Sequence, residues 1–511
     1  MNCSKYLFYF LSFLEGASVM AAELLGAKML APYFGSSLYV WASVLGITLG
    51  GLAMGYFAGG FFSQKKNNER NLYAMLLASA VFLVVMPLSA KEIMLHTAGF
   101  SLITAILISS FIFLFPPVFF MGMVSPMIVR CVSSGGEESG KAAGTVFAVS
   151  TLGGIISTFL LGFYLIPNFG LTIPAIVIGV ILGIIPFIKL ISAKKFFSLI
   201  FLPIVFFAFN NSRLLLGNSE AKTLYSSEGL LGQIVVADYP EYTKSPGMKA
   251  FQRILFVNRS TQTVVDYLNG HKSYFEYVQL ISERTKNAAG QKALVLGLGG
   301  GSAANILFEN GLTVDAVELD ERMTYCAKHF FDLNEQVNIT IDDARHFIKS
   351  EIRNPKFKTK YDVIVLDVFL GEVNPHHLFT AEFFSELKPF LSDSGMFFIN
   401  GNGFWNGDAG KGMRSVCKTL LASGFNTEII PTSEEEDYRN LLFIAKKTSG
   451  TAAAASSEKI KLLHLDDAIV LTDEKPQLEI LNAEANRRWR EACMKYFLFG
   501  YYSGKDTYLF R

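Results

Sequence analysis

The chain has 511 residues, of which 51% are hydrophobic and only 17% are charged, and its mean hydropathy is +0.35. This composition excludes an ordinary soluble protein and indicates a membrane protein with a soluble part. A formal net charge of +1 gives no basic field for nucleic acid, and five scattered cysteines without a CxxC pair indicate neither a disulfide framework nor a metal site.

The first 212 residues are the apolar part, and we expect them to form an all-α transmembrane bundle. Most of their apolar stretches reach the roughly 20 residues that a helix needs to cross a bilayer. Glu15 and Glu23 interrupt the first stretch, which is therefore not a good signal peptide. We predict about seven helices, the last of them short, at residues 6–30, 38–62, 72–90, 102–129, 142–166, 171–190 and 196–210.

Glycines are dense in the second span. Gly46, Gly50, Gly51, Gly55 and Gly59 form overlapping GxxxG spacings. Small residues at this spacing let helices approach closely in lipid. A tight helix interface is the simpler interpretation, and a path for a substrate is the alternative.

Ionisable residues lie in or near the first span. Glu15 and Glu23 are eight residues apart and share one helix face, and Lys28 follows them. Ionisable groups at membrane depth are costly and by default functional. A polar cavity and structural pairing, with Lys28 or another helix, both remain open.

Positive charges predict the orientation of two loops. Lys65, Lys66 and Arg70 follow the second span, and Lys194 and Lys195 precede the seventh, so both loops should face the cytoplasm. Seven true spans would leave the C-terminal half outside, which conflicts with a cytosolic nucleoside substrate. We therefore expect a multi-pass protein of the inner or plasma membrane whose catalytic domain is cytoplasmic, and we expect either that the short seventh segment does not cross or that another span is miscounted.

The rest of the chain divides into three parts. Residues 213–290 form a small β-rich part, and strands then alternate with helices over residues 291–447, which predicts a doubly wound, mostly parallel sheet. Residues 448–511 form a linker and a C-terminal segment that contains an arginine-rich helix, with Arg487, Arg488 and Arg490.

A glycine-rich turn follows the first strand of that sheet. Gly297, Gly299 and Gly301 lie between an apolar strand and a helix, an arrangement that brings backbone N–H groups up to a ligand. The next strand ends in Glu318, with Asp320 beyond it, and an acidic residue at this point typically holds the hydroxyls of a ribose. The pattern fits an NAD-type or an S-adenosyl-type nucleoside site.

Two later strands also end in acidic residues. Asp343 and Ala344 follow one strand, and Asp367 follows another. Ligands of doubly wound sheets bind at the carboxyl ends of the strands. We therefore expect these residues to meet the glycine turn and Glu318 in one site.

The order of these motifs resembles the spermidine synthase (polyamine aminopropyltransferase) family. Two N-terminal stretches, at 15–35 and 41–60, and LTDEKPQLEIL at 471–481 are similar to its membrane-fused, transporter-like branch. The catalytic part carries the resemblance in GQIVVAD at 232–238, VNRSTQ at 257–262, YFE at 274–276, LVLGLGGGS at 294–302, VELD at 317–320, DDA at 342–344 and YDVIVLDVF at 361–369.

The resemblance implies a Rossmann-like, S-adenosylmethionine methyltransferase-like domain that moves an aminopropyl group from decarboxylated S-adenosylmethionine to a diamine such as putrescine. It implies that Gln233 contacts the thioadenosine, Glu318 the ribose, and Asp343 with Ala344 the adenine. Asp367 would be the general base that takes a proton from the attacking amine. The resemblance implies further site residues. On the donor side these are Gly297, Gly299, Gly301 and Asp320, and on the acceptor side they are Tyr274, Glu276 and Ser302.

Several polyamine-binding groups of the family are replaced. Ser302 and Leu370 occupy positions where the family usually has aspartates, and Phe275 occupies the position of the family's usual histidine. Arg259 would repel a cation if it points inward. Three carboxylates are candidates to substitute for the missing ones: Asp266, Glu276 and Glu372.

Two further hypotheses therefore stay open. The same fold is suited to transferring another group, such as methyl from S-adenosylmethionine, to a non-polyamine acceptor. Alternatively, the membrane half is a transporter or sensor that is regulated by a ligand-binding domain. The predicted partners are a small-molecule acceptor and the lipid bilayer, with a homo-oligomer left open.

Overall fold

The computed structural model describes residues 2–35, 38–65, 68–97, 100, 102–133, 139–211, 221–229, 231–242, 249–268, 270, 272–288, 290–354, 359–436, 439–448, 465–475 and 477–499. The chain divides into two compact units. One comprises Met1–Leu215 and Ser227–Gly232, and the other comprises Leu216–Ser226 and Gln233–Arg511.

The first unit is helical, as predicted. Six helices of the described chain are long and apolar enough to cross a membrane. The helices are α1 (Asn2–Phe34), α2 (Leu38–Ser63), α3 (Asn68–Thr97), α4 (Leu102–Phe113), α5 (Phe115–Val132), α6 (Ser139–Leu160), α7 (Ile166–Phe169), α8 (Thr172–Ser192) and α9 (Phe201–Asn210).

The structure differs from the predicted count of about seven spans. The fourth predicted span is divided into α4 and α5 at Leu114, just before Pro116 and Pro117. The seventh is a short apolar helix, Phe196–Asn210. At 1.5 Å per residue this helix is only about 22 Å long, against about 30 Å for the bilayer core. Six candidate spans, by length and composition, therefore replace seven in the described part of the chain.

The glycines of α2 form a close helix interface with α5. A Cβ atom on Gly55 would lie 2.4 Å from the carbonyl oxygen of Phe119, and one on Gly59 would lie 2.4 Å from that of Met123. Neither position has room for a side chain because the two backbones touch. This geometry supports the simpler of the two interpretations of the GxxxG spacing.

Glu15 connects three helices of the bundle. Its side chain is buried, and its Oε2 accepts hydrogen bonds from Ser150 Oγ at 3.0 Å and Ser125 Oγ at 3.4 Å. Lys28 instead lies over the ring of Trp41, with its Nζ 5.8 Å from the ring centroid. Glu15 is thus held by hydroxyl groups on α5 and α6.

The second unit begins with a five-stranded sheet in the order β1-β2-β3-β4-β5, followed by α10 (Glu276–Thr285). Asn258 and Arg259, with φ of 49° and 62°, form the two-residue turn between β3 and β4. The strands are β1 (Lys222–Gly229), β2 (Gly232–Tyr242), β3 (Lys249–Val257), β4 (Ser260–Asp266) and β5 (Lys272–Ser273).

A seven-stranded mixed sheet follows in the order β11-β12-β10-β9-β6-β7-β8. Its five strands from β10 to β8 are parallel, while β12 runs antiparallel to both β10 and β11. The predicted α/β fold is confirmed. The strands are β6 (Lys292–Leu296), β7 (Thr313–Glu318), β8 (Asn338–Ile341), β9 (Tyr361–Leu366), β10 (Leu391–Asn402), β11 (Phe425–Pro431) and β12 (Asn440–Lys447).

Helices cover this sheet, and its core is apolar and aromatic because the central strands are buried on both faces. The predicted linker of residues 448–457 lies, apart from Thr448, outside the described residues, as do residues 500–511. The helices are α11 (Ser302–Glu309), α12 (Glu321–Phe330), α13 (Ala344–Arg353), α14 (Ala381–Leu387), α15 (Lys411–Ala422), α16 (Leu478–Leu481) and α17 (Ala483–Phe499).

Arg345 ties the motif at 471–481 to the sheet. Its buried guanidinium donates two hydrogen bonds to Glu386 at 2.8 and 2.9 Å and two to Asp473 at 2.7 and 2.8 Å. These contacts join α13, α14 and the C-terminal segment. The LTDEKP stretch therefore has a structural role in this fold.

We expect Arg345→Met to lower the free energy of unfolding by about 2 kcal/mol, because two carboxylates lose a bidentate partner while keeping some access to water. Arg284→Met is the matched control, since Arg284 pairs with Glu428 on the surface and such pairs contribute about 1 kcal/mol or less. Denaturant unfolding followed by tryptophan fluorescence measures both variants. Equal losses in the two would contradict the role of Arg345.

Candidate active site

The carboxyl ends of β6 and β9 meet at the centre of the sheet. The chain order changes direction between these strands, because β7 and β8 lie on one side of β6 and β9 lies on the other. Such a switch point is where ligands bind in doubly wound sheets. Gly297 follows β6 and Asp367 follows β9, so the structure brings the predicted glycine turn and the predicted base together.

The glycine turn has the left-handed backbone that its sequence predicts. Gly297, Gly299 and Gly301 have φ values of +90°, +56° and +85°. The N–H of Gly300 donates to Thr263 Oγ1 at 2.9 Å. Thr263 on β4 therefore packs on the turn and fixes part of its backbone.

Glu318 lies beside this turn at the end of β7. Its Oε2 accepts from the N–H of Leu298 at 3.0 Å, and its Oε1 accepts from the N–H of Asp320 at 2.9 Å. The side chain is largely buried, and this burial raises the pKa of the Glu318 carboxyl above its usual value. Asp320 caps α12 and pairs with Arg322 at 2.6 Å. Glu318 thus fixes part of the glycine turn, whereas Asp320 fixes the start of α12.

Asp343 begins α13 and is used by the protein itself. Its Oδ1 accepts from the N–H groups of Arg345 and His346, each at 3.0 Å, while His377 Nε2 lies 3.2 Å from Oδ2. The hydrogen bond with His377 lowers the pKa of Asp343 to about 2. Ala344 is buried at the first position of the helix. The sequence analysis did not include His377, which no local motif identifies.

Asp367 has two neutral hydrogen-bond donors. Its Oδ2 accepts from Tyr277 Oη at 2.7 Å and its Oδ1 accepts from Asn400 Nδ2 at 2.9 Å. Asn400 is held in turn by Asn440 Nδ2, which donates to its Oδ1 at 2.9 Å. Burial raises the pKa of Asp367, and the two hydrogen bonds oppose that effect. This arrangement is suited to a carboxylate that accepts a proton.

The sequence analysis missed Tyr277 and Asn400. Asn400 ends the apolar run of β10, so its position among the acidic strand ends was a usable signal. Tyr277 has no comparable signal in the sequence, because it does not stand at the end of a strand. It lies next to Glu276 on α10, before the first strand of the mixed sheet. Only the packing of α10 against the sheet brings its hydroxyl to Asp367.

We expect Tyr277→Phe to move the acidic limb of the pH–rate profile to higher pH. Asp367 must be charged to accept a proton, and losing a donor to the charged form raises its pKa. Tyr361→Phe is the matched control, because Tyr361 is another buried tyrosine that donates to a different carboxylate, Asp315, at 2.9 Å. A profile of kcat/KM against pH that is identical for the wild type and Tyr277→Phe would contradict this role.

The predicted acceptor residues differ in their exposure. Glu276 is exposed at the start of α10, and Tyr274 is half-buried. Ser302 lies in a cleft of about 460 Å³, whose lining includes Asn305 and Asp332 but not Asp367. Their assignment to substrate binding stays a prediction.

Gln233 is buried on β2, where its N–H donates to Asn258 Oδ1 at 3.0 Å. Arg259, in the same turn as Asn258, is also buried. The contact of Gln233 with a thioadenosine stays a prediction.

Asp266 and Glu372, the other two carboxylates considered as substitutes, interact with groups of the protein itself. Asp266 Oδ1 accepts from the N–H of Leu268 at 3.1 Å, which closes the end of β4. Glu372 is buried and forms an ion pair with Arg490 of α17, whose Nε donates to Oε1 at 2.9 Å. Two of the three carboxylates considered as substitutes therefore have partners.

Comparison with known proteins agrees with this architecture. The family model "Spermine/spermidine synthase domain" matches residues 273–433. An N-terminal histidine N-methyltransferase of Emericella nidulans is 42% identical over 172 residues, which is 32% of this chain and 29% of that protein. A polyamine aminopropyltransferase of Vibrio vulnificus is 37% identical over 132 residues, which is 25% of this chain and 43% of that protein.

The chain therefore spans less than half of the length of either relative. Among solved structures, a probable spermidine synthase from Corynebacterium glutamicum aligns with 53% of this chain and 95% of its own, with a TM-score of 0.35 and 19% sequence identity. Residues 273–433, which match the spermine/spermidine synthase domain, follow a region of apolar helices in this chain.

Proposed function

We propose that the domain transfers a methyl group from S-adenosylmethionine to a nitrogen atom of a non-polyamine acceptor. One observation carries this proposal: Glu372, the buried carboxylate of the loop after Asp367, is neutralised by Arg490. A diamine is a dication at neutral pH and needs compensating charge on the acceptor side. Ser302 and Leu370 supply none where the family usually has aspartates.

The donor side retains what a sulfonium nucleoside needs. The left-handed glycine turn leaves the carboxyl end of β6 open to a ligand, and Glu318 stands at the end of β7. An ionised carboxylate has about four acceptor positions, so Glu318 is suited to accept from ribose hydroxyls while it keeps its hydrogen bond from the N–H of Leu298.

Asp367 supplies the remaining chemistry. The acceptor nitrogen forms a bond with the methyl carbon while the carbon–sulfur bond breaks and its electron pair stays on sulfur. The proton that the methylated acceptor then loses, which in an imidazole is the one on its other ring nitrogen, passes to the Asp367 carboxylate, which Tyr277 and Asn400 hold in place. An imidazole acceptor suits this site, since its pKa near 6.5 leaves it neutral at physiological pH. The name of the relative from Emericella nidulans supports such an acceptor.

Donor binding to the full-length protein in detergent tests this proposal. Calorimetry should show tighter binding of S-adenosylmethionine than of decarboxylated S-adenosylmethionine. Mass spectrometry should then detect methylation of a peptide that begins with histidine and no product from putrescine. Preference for the decarboxylated donor together with conversion of putrescine would overturn the proposal.

Aminopropyl transfer is the second candidate. The family model and the relative from Vibrio vulnificus favour it, and a carboxylate such as Asp367 serves an attacking diamine equally well. This candidate requires decarboxylated S-adenosylmethionine and a second carboxylate for the distal amine. Exposed Glu276 is the remaining substitute for that role.

We infer from six spans that both ends of the apolar region lie on one side of the membrane. Lys65, Lys194 and Lys141, which lies in the first turn of α6, would then all be on that same side, as the positive-inside rule requires of the cytoplasm. The catalytic domain would therefore lie in the cytoplasm. A C-terminal green fluorescent protein fusion should fluoresce, whereas an active C-terminal alkaline phosphatase fusion would contradict this topology.

A further inference from the structure

The last described helix buries one of its three arginines. Arg487 and Arg488 pair with Glu484, and all three side chains are about 40% exposed. Arg490 pairs instead with Glu372, and the two side chains are only 8% and 5% exposed. The arginine-rich run thus contains one residue with a different environment and a different partner.

The loop that carries Glu372 contacts the strand that also contacts Asp367. Asn400 Nδ2 donates to the side chain of Asp367, and Asn402 Nδ2 donates to the backbone carbonyl oxygen of Glu372 at 3.3 Å. The two asparagines are two residues apart on β10 and point to the same face, about 7 Å from each other. Strand β10 therefore contacts both the side chain of Asp367 and the backbone of Glu372.

The loop that carries Glu372 is fixed from several sides. Gln262 Nε2 on β4 donates to the carbonyl oxygen of Gly371 at 2.7 Å, and Asn374 Nδ2 donates to that of Val368 at 3.3 Å. On α17, Cys493 Sγ accepts from the N–H of Thr261 at 3.5 Å, which holds the helix against β4. Arg490 therefore reaches Glu372 from a fixed helix.

We propose that Arg490 is a specificity-determining residue that neutralises Glu372 and so excludes dicationic acceptors. The inference rests on the proposed function. A diamine needs a carboxylate at each end, and Glu372 carries the buried carboxylate of the loop that follows Asp367. Arg490 cancels that charge and repels a second cation. Without Arg490, Glu372 would be a buried carboxylate that attracts an ammonium group.

The test uses the full-length protein in detergent with S-adenosylhomocysteine bound. We expect Arg490→Leu to bind putrescine at least about tenfold more tightly than the wild type, because Glu372 becomes available. The double variant Glu372→Gln/Arg490→Leu should return to the wild-type affinity. Arg490→Lys keeps the positive charge and should also leave putrescine binding weak. Thermal unfolding and S-adenosylhomocysteine affinity identify the variants that are folded.

Glu372→Gln gives an independent readout that does not depend on the folding of Arg490→Leu. It leaves the charge of Arg490 in place, so the ratio of 4-aminobutyrate affinity to putrescine affinity should rise at least about tenfold. A folded Arg490→Leu without tighter putrescine binding would overturn the inference, as would a folded Glu372→Gln with an unchanged ratio. Conversion of putrescine by the wild type would instead overturn the proposed function, and this inference with it.

Discussion

Asp367→Asn is expected to lower kcat by about 10²- to 10⁴-fold, the usual contribution of a positioned general base. Asparagine has nearly the same shape and still offers one oxygen to Tyr277 or Asn400, so the fold should persist. It has no basicity, so the proton of the acceptor nitrogen must leave to water. The loss should therefore become smaller as pH rises and the acceptor deprotonates without help.

The measurement is single-turnover methyl transfer between pH 6 and 9, with S-adenosylmethionine affinity measured in parallel. Asp393→Asn is the matched control, because Asp393 is an exposed carboxylate on the same sheet. Donor affinity should change little in either variant, since we place Asp367 on the acceptor side. A kcat for Asp367→Asn close to that of the control would remove Asp367 from the role of base.

Much of the donor side could be predicted from the sequence because each part is encoded locally. The glycine turn, Glu318 and Asp367 each follow an apolar strand, and parallel strands bring their carboxyl ends to one edge. The rule also placed Asp343 correctly at a strand end, although the structure uses its side chain to cap α13 and to contact His377. The position of a residue at a strand end therefore predicts where the residue lies in the fold better than it predicts its role.

The acceptor side was harder to predict because it is assembled from distant segments. Tyr277 contacts a residue 90 positions away, and Arg490 contacts one 118 positions away. Nothing in the local pattern of α17 distinguishes Arg490 from Arg487 and Arg488. Only the packing of the helix against β4 selects which arginine is buried. The ion pair of Glu372 with Arg490 could not be predicted for this reason.

The span count shows a similar limit. Hydropathy identified every apolar stretch and the shortness of the last one, but it did not reveal the division of the fourth stretch at Leu114. Helix length depends on where backbone hydrogen bonding stops, and prolines and a charged turn at Lys194 and Lys195 determine that point here. Counting residues in an apolar run overestimates how many runs cross a bilayer.

Gly297→Ala is expected to abolish donor binding and to destabilise the domain by several kcal/mol. A Cβ atom at this position would lie 2.2 Å from the carbonyl oxygen of Asp367 and 3.0 Å from Val368 Cγ2. Relieving this clash would require β6 and β9 to separate at their carboxyl ends. That separation would break the hydrogen bond that the N–H of Asp367 donates to the carbonyl oxygen of Leu296 at 2.9 Å. The left-handed φ of +90° adds about 1–2 kcal/mol of strain for any residue with a Cβ.

Gly290→Ala separates the steric effect from the backbone strain. Gly290 has a similar φ of +83°, but no atom lies within 4 Å of its added Cβ. It should therefore lose only about 1–2 kcal/mol and retain S-adenosylmethionine binding. The additional loss of unfolding free energy in Gly297→Ala measures the cost of disturbing the close approach of β6 and β9. We propose that this approach places Asp367 beside the nucleoside site. If both variants unfold alike and both bind the donor, that approach does not position the site.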